Sequence, residues 1–260
     1  MAVSSNELME LCRFATDLAE VARPILRTYF RQGVHVEHKP DRTPVTVADR
    51  VTERVLRTMI NERFPEHGLN GEEYGGEDSG AAFCWVIDPI DGTKSFVSGI
   101  PLFGTLIGLL HEGQPVLGVL EMPALGERWL GARGLATTLN DEPCRTSGCE
   151  RLDSAIVCAT TPDMFQGDDR PRFEAVSSRC RFTRFGTDCY AYGLLASGHV
   201  DLVVEAQMQP YDILGVVAVI EGAGGVVTDW AGSSLGLGGE TRVVAAANPA
   251  LHERALDLLR

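Results

Sequence analysis

Apolar positions recur at helical spacing through the first thirty residues. Leu8, Leu11, Phe14, Leu18, Ala22, Ile25 and Tyr29 share one face, which predicts a long amphipathic helix. Pro24 lies within it, lacks an amide proton, and is expected to kink it. Residues 34–39 read as a short strand. Val47, Val51, Val55 and Met59 mark a second helix that ends near Phe64 and Pro65. Strands then dominate, around 68–71, 83–87, 105–111, 115–122 and 128–132. The pattern changes at the polar stretch 141–148. Beyond it, strands at 154–159, 181–185, 201–205, 226–230 and 243–247 alternate with helices at 171–178, 187–197, 211–221 and 249–259. Such alternation predicts an α/β half, residues 146–260, following an α+β half, residues 1–145.

Composition narrows the classes. Hydrophobic residues make up 44% of the 260 positions and charged residues 23%, enough apolar surface for a packed core and against a disordered chain. The longest apolar run, Ile213 to Ile220, falls far short of the ~20 residues that span a bilayer. Acids number 36 against 23 Lys plus Arg, a net charge of −13, which argues against a nucleic-acid partner because phosphate contacts need basic surfaces. Glu7, Glu10, Asp17 and Glu20 stand where a signal peptide would need an apolar block. The seven cysteines form no Cys-x-x-Cys pair. Together these features predict a reduced, cytoplasmic protein.

The candidate chemistry lies in the acids. An apolar strand from Trp85 runs into Asp88-Pro89-Ile90-Asp91-Gly92-Thr93-Lys94. Pro89 cannot donate to a central ladder, so the chain is expected to turn there and bring Asp88 and Asp91 together. Gly92 allows a ligand close to the backbone. Thr93 opens a short helical segment whose free amides suit a phosphate oxygen. Two carboxylates ~4 Å apart repel by about 4 kcal/mol at an effective dielectric of 20, and hard-oxygen coordination of Mg²⁺ would remove that repulsion. A polar turn with two capping aspartates is the alternative.

Three further acids bear on that choice. Glu72, in Gly71-Glu72-Glu73, either completes a metal site or is a solvated loop acid. Asp49, three residues after Thr46, either closes a capping box or orients something beyond the helix end. Asp212 opens the helix whose body is Ile213 to Ile220. A helix apolar all round is buried, so its first-turn carboxylate needs a partner, and a cation would serve.

Taken together, Gly71-Glu72-Glu73, Asp88 to Thr93, and Asp212 followed by Glu221-Gly222-Ala223-Gly224-Gly225 resemble the inositol-monophosphatase-like family of Mg²⁺-dependent, Li⁺-sensitive phosphatases. The resemblance spans nearly the whole chain. Within the family it is nearest the histidinol-phosphate phosphatase branch. That likeness is carried by the stretch from Asp41 to Asp49, by Asp91 to Phe96 with Pro101 to Ile107, by Glu127-Arg128-Trp129, and by Asp188-Cys189-Tyr190-Ala191-Tyr192. Inositol phosphatases usually have Trp before the last metal-binding aspartate and often Asp where Thr43 stands. This chain has Tyr211 and Thr43, both of which fit the histidinol-phosphate branch.

The resemblance implies a layered α-β-α-β-α fold, an active site between the two halves, and a homodimer. It also implies two or three Mg²⁺ ions. Glu72, Asp88, Asp91 and the Ile90 carbonyl would hold the first, with Asp212 joining Asp88 and Asp91 at another. Glu72 and Thr93 would position the attacking water, Asp49 would hold Thr93, and the amides of Gly92 and Thr93 would hold phosphate oxygens. The expected substrate is a small phosphate monoester. Its selection is expected from Arg184, Asp188 and Glu205 in the second half. Acids there could pair with the ammonium group of histidinol phosphate, whereas an inositol ring offers only hydroxyls. For Asp188 a helix N-cap is the alternative, and for Arg184 a surface ion pair. A haloacid-dehalogenase-type motif has one residue between its aspartates, where this chain has Pro89 and Ile90.

Overall fold

The first helix begins where side chains satisfy its orphan amides. Ser4 and Glu7 cap each other's backbone, and α1 runs Ser5–Tyr29. The computed structural model describes residues 3–33, 35–38, 44–77, 80–238 and 242–260. The helix continues unbroken through Pro24, because Ala22 and Leu26 on either side of it are fully buried and hold both turns in place. Of the strand expected at 34–39, residues 36–38 form β1 (Val36–His38), which pairs antiparallel with β2 (Pro44–Thr46). Val34, Lys39 and the Asp41-Arg42-Thr43 stretch lie outside the described residues. Thr46 then caps α2 (Val47–Arg63).

One sheet follows, built from β3 (Gly68–Gly71), β4 (Gly75–Glu77), β5 (Phe83–Asp91), then, after the short helix α3 (Thr93–Val97), β6 (Gly104–His111), β7 (Gln114–Met122), β8 (Glu127–Ala132), β9 (Thr138–Leu139) and β10 (Glu142–Pro143). Its strand order is β10-β9-β8-β7-β6-β5-β3-β4, with β3 and β5 parallel and the other pairs antiparallel. The second half supplies β11 (Ile156–Ala159), α4 (Asp169–Ser177), β12 (Phe182–Phe185), α5 (Tyr190–Ala196), β13 (Leu202–Glu205), α6 (Pro210–Gly222), β14 (Val226–Asp229), β15 (Val243–Ala246) and α7 (Pro249–Leu259). Its sheet order is β12-β11-β13-β15-β14.

The layers follow from which way alternate residues point. Trp85 and Ile87 of β5 pack with Leu18 of α1 and Leu56 of α2. Val86, between them, packs with Leu214 of α6. In the second sheet, Val203 faces that same α6 layer while Leu202 and Val204 face Phe173 of α4 and Leu251 of α7. The chain is thus a five-layer α-β-α-β-α stack, an α/β fold, with α5 and α6 between the two sheets. This position explains the run Ile213 to Ile220, every residue of which is buried: a helix covered by a sheet on each side has no solvent face to make polar.

Three glycines set how closely α6 lies on the first sheet. Gly108, Gly118 and Gly131 are paired across β6, β7 and β8. A Cβ at Gly118 would collide with the Gly215 carbonyl of α6, and one at Gly131 with the Ala218 carbonyl. The bare backbone there is the seat of the helix that carries Asp212.

One sequence expectation fails on this sheet. The strand at 83–87 does not stop for Pro89. β5 stays in register with β6 through Asp88 opposite Leu106, then resumes at Asp91 opposite Gly104. The irregularity leaves Pro89 and Ile90 out of the ladder, so the missing amide proton costs no bond, and the Pro89 carbonyl accepts instead from Thr105 Oγ1 at 2.9 Å.

Candidate active site

The bulge at the end of β5 gathers the acids. Asp88 is buried, and its Oδ1 accepts from the Ile90 amide at 2.9 Å, closing the bulge on itself. Asp91 Oδ2 accepts from the Cys189 amide at 2.6 Å, which ties the first sheet to the start of α5. Asp212 arrives from the first turn of α6, where its Oδ2 caps the Gln209 amide at 2.8 Å. Asp88, Asp91 and Asp212 each place one carboxylate oxygen within 4.8 Å of the other two. Glu72 reaches the same place from the turn after β3, whose amide bonds the Ile87 carbonyl at 3.2 Å.

These acids act on one another. Burial pushes Asp88 well above the usual carboxylate range, and the charges of Glu72, Asp91 and Asp212 push it further. Burial likewise raises Asp91, with Asp188 and Asp212 adding to the shift and the Cys189 amide opposing it. Converging carboxylates, one buried and two half-buried, are relieved by holding protons or by sharing a cation. An all-oxygen donor set of this kind fits Mg²⁺, which takes one or two carboxylates alongside substrate phosphate oxygens.

Gly92 follows with φ +81°, the left-handed conformation that glycine adopts without strain. A Cβ there would also press on the Leu102 carbonyl at 2.9 Å and on Asp188 Cβ at 3.2 Å. Thr93 Oγ1 lies 3.0 Å from the Ile90 carbonyl and 3.5 Å from Asp49 Oδ1, so its nearer acceptor is Ile90. Asp49 closes the capping box of α2. Its Oδ2 takes the Thr46 amide and hydroxyl, each at 2.7 Å, as a cap, while Oδ1 faces Thr93. Burial lifts Asp49 to about 6, with the Thr46 bonds opposing and the Glu72 charge adding.

A cavity of about 180 Å³ is lined by Glu72, Asp88, Ile90, Asp91, Gly92 and Thr93 from one half of the chain and by Asp188 and Asp212 from the other. A neighbouring cavity of about 310 Å³ shares Asp91, Lys94, Thr160, Asp188 and Asp212 with it and extends to Asp163, Tyr192, Glu205 and Gln207. Asp188 stands where the two meet. Its backbone has φ +45°, unusual for a non-glycine residue, and its Oδ2 accepts from Ser95 Oγ at 2.7 Å. Burial raises its pKa, opposed by Ser95 and by Lys94. The residue that caps α5 is Cys189, one position later, and the Asp188 carbonyl accepts from the Ala191 amide at 3.2 Å.

Glu205 lines the larger cavity with its carboxylate already engaged. Oε1 takes the Thr160 amide at 3.0 Å and hydroxyl at 2.5 Å, and Oε2 takes the Tyr192 hydroxyl at 2.5 Å. Arg184 is not part of either cavity. It lies exposed on β12, the edge strand of the second sheet. Ser95, Cys189 and Tyr192 stand in the stretches that carry the family likeness but have no expected role at the site, and Thr160 is not singled out at all. Ser95 and the Cys189 amide contact Asp188 and Asp91 only where the two halves meet, and Thr160 and Tyr192 contact Glu205 within the second half.

All seven cysteines are free thiols. Among the described residues no helix is long and apolar enough to cross a membrane.

Comparison with known proteins agrees with this fold. Residues 7–260 match the model of the inositol monophosphatase family. The bifunctional phosphatase IMPL2, chloroplastic, of Arabidopsis thaliana is 41% identical over 99% of this chain and 77% of its own length. A histidinol-phosphatase of Chlorobaculum parvum is 37% identical over 90% of this chain and 91% of its own. The solved structure of an inositol monophosphatase from Zymomonas mobilis superposes with a TM-score of 0.89 at 41% identity, covering 98% of this chain and 99% of that one. The match runs the length of both sheets and through every segment that lines the acidic cavity, and on it the chain belongs to the inositol monophosphatase family of phosphatases.

Proposed function

We propose that this chain hydrolyses phosphate monoesters with Mg²⁺ and that its preferred substrate is histidinol phosphate. The observation that carries the reading is the convergence of Asp88, Asp91 and Asp212 within 4.8 Å beside the Gly92–Thr93 turn. Glu72, Asp88, Asp91 and the Ile90 carbonyl would hold one ion, and Asp212 would join Asp88 and Asp91 at a second. Bound there, Mg²⁺ supplies charge neutralisation and a more acidic water.

The chain's own groups do the positioning. The Gly92 and Thr93 amides hold phosphate oxygens in a fixed array, so no reorganisation is needed as charge develops. Glu72 and Thr93 orient the water. Asp49, locked to Thr46 and facing the Thr93 hydroxyl at 3.5 Å, would hold that hydroxyl toward the site. Loose phosphoryl transition states ask for placement and charge neutralisation more than for a covalent partner, which is consistent with cysteines that take no part.

The halves 1–145 and 146–260 would divide the work, the first holding phosphate and most metal ligands, the second closing the site with Asp212 and choosing the substrate. Asp188 faces the shared cavity and would pair with the substrate ammonium, while Glu205 acts from behind through Tyr192 and Thr160. Arg184, exposed on an edge strand, has no place in this scheme within one chain. The assembly the family resemblance implies is a cytoplasmic homodimer.

Turnover of Asp91→Asn tests the core of the reading. Phosphate release should fall at least a hundredfold, about 2.7 kcal/mol of barrier, at every Mg²⁺ concentration. Near-normal turnover at saturating Mg²⁺ would remove Asp91 from the ligand set and the reading with it.

A further inference from the structure

α2 carries a second buried acid one turn beyond Asp49. Glu53 is fully buried, a placement that is rare for glutamate unless every oxygen is engaged. Its Oε2 accepts from the Glu73 amide at 2.7 Å, and its Oε1 accepts from the Tyr74 amide at 3.3 Å and from Arg57 Nε at 2.7 Å. The two amides belong to the turn that carries Glu72. Gly71, at the start of that turn, makes the approach possible, since a Cβ there would collide with the Glu53 carboxylate. Arg57 grips the far side of the turn as well, donating from Nη2 to the Gly75 carbonyl, with its guanidinium 5.8 Å from the Tyr74 ring centroid.

The turn is therefore held from two directions. The Glu72 amide is fixed to β5 through the Ile87 carbonyl, next to Asp88. The following two amides are fixed to α2 through Glu53. The same helix presents Asp49 toward Thr93, so one rigid element references both Thr93 and Glu72. An ion pair with Arg57 alone would not need this burial, because an exposed glutamate at the same i,i+4 spacing makes such a pair.

We infer that Glu53 is a positioning residue: by holding the Glu73 and Tyr74 amides it fixes where the Glu72 carboxylate stands, and its loss weakens divalent-cation binding rather than ester binding. The inference rests on Glu72 being a metal ligand, as proposed above. Groups that orient metal ligands typically change metal affinity by about 10–100-fold when altered.

The test uses Glu53→Gln in the full chain, which keeps the shape but sets an amide NH₂ among the turn's donors. Mg²⁺ is titrated with two readouts, the rise in Tm on adding Mg²⁺ and the concentration giving half-maximal phosphate release. The expected result is a half-maximal Mg²⁺ concentration raised about tenfold or more, a smaller Tm rise, and an unchanged KM for the ester. If Glu53→Gln does not fold, Glu53→Asp carries the same test, because it keeps the charge but withdraws it from the two amides. A folded variant with an unchanged Mg²⁺ titration overturns the inference, even if kcat falls. Hydrogen exchange on the unaltered protein gives an independent result. The Glu73 and Tyr74 amides should be protected and should slow further with Mg²⁺, and exchange at open-loop rates overturns the inference without any variant. Glu72→Gln separates the two levels. Normal turnover and normal Mg²⁺ response there defeat the Glu72 reading itself, whereas an inactive Glu72→Gln beside a normal Glu53→Gln defeats only the role of Glu53.

Discussion

Replacing Asp212 by Asn should make the metal-free protein more stable while abolishing its activity. Asp88, Asp91 and Asp212 each have a carboxylate oxygen within 4.8 Å of the others. At that separation and an effective dielectric of 20, each fully charged pair repels by about 3.5 kcal/mol. Asp212 takes part in two of the three pairs, so about 7 kcal/mol is the ceiling on the relief. Burial already favours protons on Asp88 and Asp91, which relieves part of the repulsion beforehand and leaves a gain on the order of 2–3 kcal/mol. The helix cap survives, because the asparagine carbonyl can still accept from the Gln209 amide that Asp212 Oδ2 now takes at 2.8 Å. The assay is urea unfolding at mildly alkaline pH, with chelator and then with Mg²⁺. Wild type should gain about 2.7 kcal/mol at a hundredfold excess of Mg²⁺ over its Kd, and the variant close to nothing. A metal-free variant less stable than wild type, or one that Mg²⁺ stabilises equally, would refute the clustering of charge as the organising feature of the site.

Other consequences follow from the same geometry. Asp49 is raised from 3.8 to about 6, so between those values the folded state binds more protons than the unfolded state and stability falls as pH rises. This one group should make the metal-free protein lose about 3 kcal/mol relative to Asp49→Asn across that window, measured as the difference between their unfolding free energies from pH 4 to pH 7, and a flat or rising difference would contradict the burial of a charged Asp49. Gly118→Ala drives a methyl into the Gly215 carbonyl, and should cost about 1–3 kcal/mol of stability and lower kcat by displacing Asp212; an unchanged Tm would mean that α6 does not sit as close as described. Asp188→Ala should reduce kcat/KM for histidinol phosphate at least tenfold, about 1.4 kcal/mol, with a smaller effect on inositol 1-phosphate, and equal losses on both would assign Asp188 to the scaffold instead.

The parts of this architecture that were legible in the sequence are those fixed by local rules. The α1 stripe, the Thr46–Asp49 cap and the apolar run of α6 each follow from spacing or hydrophobicity alone. The run from Asp88 to Thr93 was legible as a turn-forming acidic cluster. Its shape was not, because the bulge that lets β5 pass Pro89 exists only through pairing with β6. The short β2 and β4 escaped notice for the same reason: three residues held by a partner strand leave little periodic signal. Glu53 was invisible because a glutamate on a helix normally faces water, and only the approach of the Gly71 turn buries it. Arg184 and Glu205 show the converse. Both are polar residues on strands of the second half, yet Arg184 is exposed on the edge strand β12, and Thr160 and Tyr192 hold Glu205 inward.

In the proposed function, an acid-lined cavity loaded with Mg²⁺ hydrolyses a phosphate monoester bearing a cationic group. The most direct measurement is Mg²⁺-dependent phosphate release from histidinol phosphate, inositol 1-phosphate, fructose bisphosphate and 3′-phosphoadenosine phosphate, ranked by kcat/KM. Release should vanish with chelator and be highest for histidinol phosphate. A higher value for inositol 1-phosphate would contradict the substrate assignment, and release that persists without divalent metal would contradict the role given to Asp88, Asp91 and Asp212.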